Sequence, residues 1–406
     1  MRLWRVLGVS AVALMIVVNT NASRAMNGPS WVSIDGGPLG PLEVSAGVDG
    51  YFYAQSGTSS NSHVSIVGGK SNGAELSDFM VQLRKSTGIF QFKIQLAEYT
   101  DINLGTDRPK GVDGNRYTTG PLRAAYITIA PADNFSVSVG QLDSLEGYES
   151  AFAWSNPVQL RTVIAGVENS ESRGVSAIYT QGPLSGTVIF GDGNDTGVFN
   201  YLQFLATDTI NSNNNFNVFG GIALGVTGPN TFAYGSGGLS SGGANGVGGQ
   251  GMLANVNSNV FGAWYSWTQG NLTLVPEVQF QYAKALHKYA AISSGGVSDN
   301  IPKETSNFAA AIFSDYNFGT SPFSLGAWAE YGTSHGSAAQ DVWFVAPNAQ
   351  IAGFAIAPTW QYKYLFSRIN VGYAHLLNSG TPPAGYGNMG RGCDQVIGTL
   401  EAGLVF

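Results

Sequence analysis

Charged side chains are scarce in this chain. Asp, Glu, Lys and Arg make up 11% of its 406 residues, against roughly 25% in soluble domains. A soluble protein with so few charges would be poorly solvated, whereas a protein whose outer surface faces lipid needs few. The formal net charge of -7 argues against nucleic acid as a partner, because a basic stripe would be expected. It is compatible with a mild preference for cations inside a pore.

Long hydrophobic runs are also nearly absent. One apolar run, residues 6–18, follows two arginines near the start and is shorter than the roughly 20 residues of a transmembrane helix. Small residues up to Ala25 offer a signal peptidase site, so residues 1–25 are predicted to be a secretory signal peptide. Met26 stands where a lipoprotein would carry cysteine, so no acyl anchor is expected. An exported chain without transmembrane helices is either soluble or a β-barrel, and the composition favours the barrel.

Residues that carry enzyme chemistry are few and scattered. The single cysteine, Cys393, excludes an internal disulfide, and a free loop thiol is favoured over a redox role. Residues 246–251 fit the dinucleotide-binding string G-x-G-x-x-G, but a loop this rich in glycine gives such a match by chance. The sequence therefore predicts no enzyme, no catalytic residue, no metal and no cofactor. The histidines, none of which forms a pair at metal-ligand spacing, are His63, His287, His335 and His375.

Alternating runs of about 9–11 residues, bounded by turn residues, fill most of the chain. They predict an all-β fold, a transmembrane antiparallel β-barrel of about 16 strands over residues 43–406. Residues 26–42 are predicted to be an irregular N-terminal lead-in that lies in the periplasm or folds into the lumen. The strands are expected near 43–54, 78–86, 89–99, 122–130, 134–141, 171–181, 184–192, 200–208, 216–227, 256–268, 271–284, 305–317, 323–333, 351–363, 365–377 and 396–406.

The connections alternate between short and long, apart from one modest loop at 193–199. The short ones include Thr87-Gly88 and Gly182-Pro183, and the long ones include 142–170 and 228–255. Short periplasmic turns and long extracellular loops are typical of transmembrane barrels, and a soluble sandwich has no reason to separate them by end. The glycine content, 55 residues, suits tight turns and crowded lumen positions.

The last strand is a clear case of two-faced alternation. It ends on Phe406, a terminal aromatic of the kind that ends many outer-membrane barrels and serves as their assembly signal. Thr399, Glu401 and Gly403 are expected on the wet face. The apolar set expected to face lipid comprises Val396, Leu400, Ala402, Leu404 and Phe406.

The same alternation assigns the side chains of other strands either to the lipid-facing side or to the lumen. Phe90, Phe92, Ile94 and Leu96 are expected outside, with Lys93 inside. The strands near 256–268 and 305–317 leave their register open, because small residues occupy both faces. Parity places Arg123 outward, at a rim where a charge costs little. The charged residues expected inside are Glu43, Asp49, Arg84, Lys93, Glu277, Glu330, Arg368 and Glu401. Aromatic girdles are expected from Tyr99, Tyr126, Tyr282, Tyr331, Trp264, Trp267 and Trp360.

The third long loop, residues 142–170, combines acidic and aromatic residues. A loop of nearly thirty residues that leaves an inward-facing strand can fold into a wide barrel and narrow it; a solvated surface loop is the alternative. The predicted constriction residues are Asp143, Glu146, Glu149 and Arg161. The predicted pore-wall residues are Arg84, Lys93, Glu277, Glu330 and Arg368. Acids facing Arg84 and Lys93 would create a transverse field that orients polar solutes.

One stretch carries a family resemblance. Residues 137–149, which contain Gly140 and the element Gly147-Tyr148-Glu149, are followed by Asn156-Pro157, Arg161 and Arg173-Gly174-Val175. This order of landmarks, over roughly 120–180, resembles the β-barrel porin-2 (OmpL-like) family, and the strand-and-loop plan covers the mature chain. Gln141-Leu142 departs from the basic-aromatic pair more usual there. The resemblance implies a passive outer-membrane pore and supplies no substrate.

The sequence thus predicts a porin in the outer membrane of a Gram-negative bacterium. Small hydrophilic solutes and ions would diffuse through it passively, because a barrel of sixteen strands is too wide for side chains to fill. A substrate-selective channel, for sugars or a metal chelate, is the alternative. The expected partners are outer-membrane lipid and the barrel-assembly machinery. The oligomeric state is left open, with a homotrimer as one option.

Overall fold

The computed structural model describes residues 26–59, 65–107, 120–169, 171–194, 196–227, 256–285, 304–336, 344–381 and 383–406. The predicted signal peptide, His63, His287 and the string at 246–251 lie outside these ranges. Among the residues described, no helix has the length and apolar character needed to cross a membrane.

Strands dominate the described chain, together with three short 3-10 helices at Gly37–Leu39, Ala153–Ser155 and Ile164–Val167. The strands are β1 (Val32–Asp35), β2 (Pro41–Gln55), β3 (Thr58–Ser59), β4 (Val67–Gly68), β5 (Asn72–Lys85), β6 (Phe90–Glu98), β7 (Leu122–Ala132), β8 (Phe135–Asp143), β9 (Glu171–Gln181), β10 (Leu184–Asp192), β11 (Phe199–Asn211), β12 (Asn214–Ala223), β13 (Ser258–Gln269), β14 (Leu272–Ala283), β15 (Thr305–Asn317), β16 (Phe323–His335), β17 (Ala349–Tyr362), β18 (Leu365–Ser379) and β19 (Asp394–Val405).

All of these strands except β1, β3 and β4 form a closed antiparallel barrel of sixteen strands. Consecutive barrel strands pair along the chain, and β19 closes the ring on β2 with Ile397 opposite Gln55 and Val405 opposite Gly47. Closure leaves no unpaired edge, which is what a sheet needs where there is no water to bind its backbone groups. The predicted fold class is confirmed; β5 begins at Asn72 rather than near residue 78.

Side chains alternate between the two faces of the barrel. On β6, Phe90 and Ile94 are exposed on the outside, while Gln95 is buried inside. The two strands whose register the sequence left open also alternate. Trp264 of β13 faces inward, and on β15 Phe308 is exposed outside while Phe313 is buried inside.

Three of the seven predicted girdle aromatics face the lumen instead. Tyr99, Tyr126 and Trp264 are 3%, 6% and 8% exposed, so the prediction was wrong for them. Tyr99 follows Gln95 and Ala97 on the inward parity of β6, and both of these are buried. Trp264 lies on one of the strands whose register was ambiguous. Tyr331 and Trp360 are exposed on the outer face, as predicted.

Arg123 is also placed wrongly by simple parity. Gln95 pairs with Ala124 and Leu96 pairs with Leu122, so Arg123 is the extra residue of a β-bulge. A bulge shifts the alternation by one position, and the side chain turns inward, where it is 7% exposed. The correction matters because Arg123 becomes a third basic residue on the same part of the wall as Arg84 and Lys93.

Candidate functional site

The third loop lies among inward-facing side chains of the barrel. Residues 142–169 of this loop, called loop 3 below, place Trp154, Val158 and Leu160 at 1% exposure or less. Wall side chains bind the loop backbone at separate points. The Asp78 carboxylate accepts from Ala153 N at 2.6 Å. Trp328 Nε1 donates to the Leu160 carbonyl at 2.7 Å.

Two predicted wall acids also hold loop 3. A Glu330 carboxylate oxygen accepts from Val163 N at 2.8 Å, and one of Glu277 accepts from Tyr148 N at 3.0 Å. Both side chains face inward, as predicted, and they are 7% and 2% exposed. These carboxylates therefore bind protein, and loop 3 covers them.

Arg368, another predicted wall residue, is fully enclosed beneath the loop. Its guanidinium binds both carboxylate oxygens of Glu401, at 2.8 and 2.9 Å. It also donates to the carbonyl oxygens of Asn156 and Ala153, each at 3.0 Å. A buried charge is tolerated only when it is paired and its donors are satisfied, and here the loop backbone supplies the remaining acceptors.

Small side chains line the wall on which loop 3 packs. A Cβ added at Gly326 would collide with the Pro157 carbonyl oxygen, and one at Gly372 would lie 2.8 Å from the Leu160 side chain. The absence of side chains lets the loop approach the sheet closely. We call this surface the docking wall: the inward small residues of β15–β18, namely Ala309, Ala311, Gly326, Gly332, Gly353, Ala355, Ala357, Gly372 and Ala374.

A second loop adds to this packing. The backbone of residues 102–104 runs beside loop 3, with Arg161 N donating to the Ile102 carbonyl at 2.8 Å and Leu104 N donating to the Arg161 carbonyl at 3.0 Å. Leu104 is buried next to Gly353 and Gly372. Two loops together thus cover the docking wall with apolar side chains.

A neighbouring part of the lumen wall, on β2, β5 and β6, carries charged side chains that remain partly exposed. Arg84 Nε contacts Glu43 at 2.7 Å, with side-chain exposures of 24% and 27%. Lys93 Nζ contacts Asp143 at 2.6 Å, with exposures of 13% and 32%. Arg84 and Lys93 are directly paired on β5 and β6. We call these four residues the charged wall.

Arg123 connects the charged wall to loop 3. Its guanidinium contacts Asp143 at 2.6 Å and the buried Glu171 at 2.8 Å. The same group lies 5.2 Å from the centre of the Phe152 ring, near the loop tip, and 5.6 Å from that of Tyr99. Arg123 thus joins Asp143 of the charged wall to Glu171 at the start of β9 and to the Phe152 ring of loop 3.

The remaining loop charges predicted at the constriction bind protein groups, partly within loop 3 and partly on β11 and on the loop after β6. Glu146 accepts from Asn169 N at 2.9 Å and from the Tyr201 hydroxyl at 2.9 Å. Glu149 accepts from Thr162 N at 3.1 Å, and Arg161 pairs with Asp101. Burial raises the pKa of Glu146 to about 7 and raises the pKa of Glu149 as well. Of the four predicted constriction residues, only Asp143 belongs to the partly exposed set.

The sequence contained some signal for the residues that it missed. Alternation along the strands predicts that Asp78 and Trp328 face inward, but it does not identify their partners on loop 3. Arg123 required the bulge to be recognised, and no local motif marks it. Among the described residues, no group of three or more His, Cys, Asp or Glu side chains has a geometry that could hold a metal ion. Cys393 is half-buried and free.

Known structures share this architecture. An anion-selective porin from Comamonas acidovorans gives a TM-score of 0.54 at 9% identity, covering 90% of this chain and 99% of that one. Salmonella typhi OmpF, in a complex with daunomycin, gives 0.53 at 12% identity, covering 92% and 100%. The outer membrane channel DcaP of Acinetobacter baumannii gives 0.51 at 10% identity, covering 90% and 97%. At these identities the likeness shows the fold. No curated protein sequence matches the chain significantly.

A closed antiparallel barrel of sixteen strands is wide enough to leave an aqueous channel, as in porins. The family model described as "Putative beta-barrel porin-2, OmpL-like" matches residues 41–406. The chain belongs to this family, and its place is the outer membrane. Its fold and family are those of a channel.

Proposed function

We propose that small hydrophilic solutes and ions cross the barrel passively along the charged wall. One observation carries this proposal. The side chains of Glu43, Arg84 and Asp143 are 24–32% exposed, whereas Glu277, Glu330 and Arg368 are at most 7% exposed. Water and solutes therefore have access to the first set, while loop 3 covers the second.

Selectivity between ions is weak in this proposal. Glu43 and Asp143 each face a basic partner within 2.7 Å, so opposite charges alternate along the route. Such an arrangement creates a field across the path, which orients polar solutes, and it leaves little net charge to reject ions of one sign. Glu146, Glu149 and Arg161 then support the loop, and Asp143 is the loop acid that meets the solute.

Reversal potentials test this route. Lys93→Gln removes a partly exposed cation, so its zero-current potential in a salt gradient should shift towards cations. Lys363→Gln, in the turn between β17 and β18, is the matched control and should leave the potential unchanged. An unchanged potential in Lys93→Gln, with normal channel insertion, would place the route elsewhere.

The same proposal covers the assembly of the barrel and its partners, which involve the outer face. Phe406 is 39% exposed, and its backbone pairs with Ala46 in both directions, at 2.8 and 2.9 Å. We propose that the barrel-assembly machinery recognises this residue and that lipid surrounds the exposed apolar side chains of the outer face, such as Phe90, Phe308 and Leu400. We also propose that the channel assembles as a homotrimer. No catalysis and no cofactor are part of this function. Deletion of Phe406 should lower outer-membrane levels, and unchanged levels would contradict the assembly role.

A further inference from the structure

The chain before β1 enters the barrel mouth at its periplasmic end. This is the end with the short turns, and β2 starts there. Met26 is 3% exposed, in a cluster with Met80, Phe152 and Trp154. These partners are an inward residue of β5 and two aromatic residues from the tip region of loop 3. Met26 therefore lies inside the lumen, beneath the loop.

Specific contacts fix the residues that follow. Asn27 N donates to Gln361 Oε1 at 2.8 Å, and Gln361 Nε2 donates to the Asn27 carbonyl at 2.9 Å. A Cβ added at Gly28 would lie 3.7 Å from Trp154 and from Ser155. The segment is thus paired to the end of β17 on one side and packed under the loop tip on the other.

The segment then reaches the charged wall. The Trp31 ring lies 3.7 Å from the Arg84 guanidinium carbon, stacked as a cation–π contact. Arg84 faces the lumen and pairs with Glu43. Beyond Trp31, β1 pairs with β2 from Val32 opposite Val44 to Asp35 opposite Pro41, which anchors the segment at its far end. Residues 26–31 thus cross from β17 to β5, with β18, β19 and β2 between them.

We propose that residues 26–31 form a plug segment that narrows the periplasmic entrance to the permeation route. Trp31 narrows the passage at Arg84, and Met26 supports the loop tip from below. This inference rests on the proposed route along the charged wall. The contacts are of two kinds, amide hydrogen bonds at the mouth and apolar packing inside, so the segment is bound to the mouth without being part of the barrel sheet.

Cysteine cross-linking tests the position of the segment independently of conduction. In the full chain with Cys393→Ser, a short bis-maleimide reagent should cross-link Asn27→Cys to Gln361→Cys in outer membranes, because the Gln361 side chain reaches the Asn27 backbone. The control pair, Asn27→Cys with Ser185→Cys, joins the segment to β10, seven strands from β17 around the ring, and should not cross-link. Equal cross-linking of both pairs would overturn the assigned position.

Single-channel conductance tests the narrowing. Deletion of residues 27–31 should raise conductance by roughly 1.5-fold, in proportion to the cross-section that is released. Trp31→Ala should give part of this increase, and Ser33→Ala, on the adjacent exposed strand β1, should give none. Unchanged conductance in the deletion variant would overturn the inference. If Lys93→Gln still shifts the reversal potential in that case, the proposed route stands and only the plug segment fails.

Discussion

The two sides of the lumen differ in what their side chains do. The docking wall is built from glycine and alanine, and it lies against apolar residues such as Leu160 and Leu104. The charged wall presents Glu43, Arg84, Lys93 and Asp143, which keep part of their surface open. The small residues of the docking wall allow the backbone of loop 3 to approach the backbone of the sheet. The long side chains of the charged wall remain in contact with water. The same barrel therefore fixes a loop on one part of its wall and leaves a path along a neighbouring part.

Charges occur on both sides, but their environments differ. Beneath loop 3, Arg368 and Glu401 form a pair with no exposed side-chain surface, and the loop backbone completes its hydrogen bonds. On the charged wall, the ion pairs retain contact with water. Charge count alone therefore does not identify a pore-lining residue in this barrel. Burial decides which charges hold the structure and which can meet a solute.

Removing one member of the buried ion pair beneath loop 3 should give the largest effect, a loss of stability. Arg368→Met leaves the buried Glu401 without its cation and removes two hydrogen bonds to loop 3. Loss of one member of a buried pair costs about 3–5 kcal/mol, so the free energy of unfolding in urea should fall by that order. The double variant Arg368→Met with Glu401→Met should recover much of the loss, because no unpaired charge remains. A single variant as stable as the wild type would show that the pair does not hold the loop.

Removing a charge from the charged wall should alter ion selectivity more than stability. Asp143→Asn leaves Lys93 and Arg123 without their shared anion, so the zero-current potential should shift towards anions. A unit charge about 8 Å away in water changes the energy of an ion by about 0.5 kcal/mol, which is roughly a twofold change in occupancy. Asp208→Asn, on the outer face of β11 opposite Leu184, is the control. A shift of equal size in the control would show that the effect is not local to the lumen.

The pH dependence of conductance should give a smaller effect, which comes from the buried acids of loop 3. Burial raises the pKa of Glu146 to about 7 from the ordinary 4.5, and burial raises the pKa of Glu149 in the same direction. Between pH 4.5 and about 7, Glu146 stays protonated in the docked loop but would lose its proton in a released loop. Docking of loop 3 is therefore strongest at acidic pH, and it weakens as the pH rises through about 7. Conductance should therefore increase from about pH 5 to pH 8. Glu146→Gln should reduce this dependence, and a steeper dependence in that variant would contradict the assignment.

The barrel was predictable because its information is local. Alternation over ten residues placed Phe90, Lys93 and Glu401 on the correct faces without knowledge of any partner strand. Parity failed at Arg123, where one extra residue shifts the alternation by one position. The loop contacts were beyond local reasoning, because Arg368 and Asn156 lie 212 positions apart. The sequence could identify loop 3 as unusual, but the wall that holds it is defined only by folding.

The N-terminal lead-in illustrates the same limit. Its prolines and glycines predicted irregular chain and left open whether it lies in the periplasm or the lumen. The contacts of Met26 and Asn27 place its first residues at the mouth of the lumen, while β1 joins the sheet beside β2. The decisive partners, Trp154 and Gln361, are remote in sequence, so composition could not have chosen between the two positions.

The most direct measurement compares thiol accessibility on the two walls during conduction. In a Cys393→Ser background, Gln91→Cys places a thiol on the inward face of β6 beside the charged wall, and Ala355→Cys places one on the docking wall, where the native residue is 2% exposed. A cationic thiol reagent should reduce the single-channel current of Gln91→Cys and leave that of Ala355→Cys unchanged. Block at Ala355→Cys with none at Gln91→Cys would contradict the proposed route and assign permeation to the side on which loop 3 is docked.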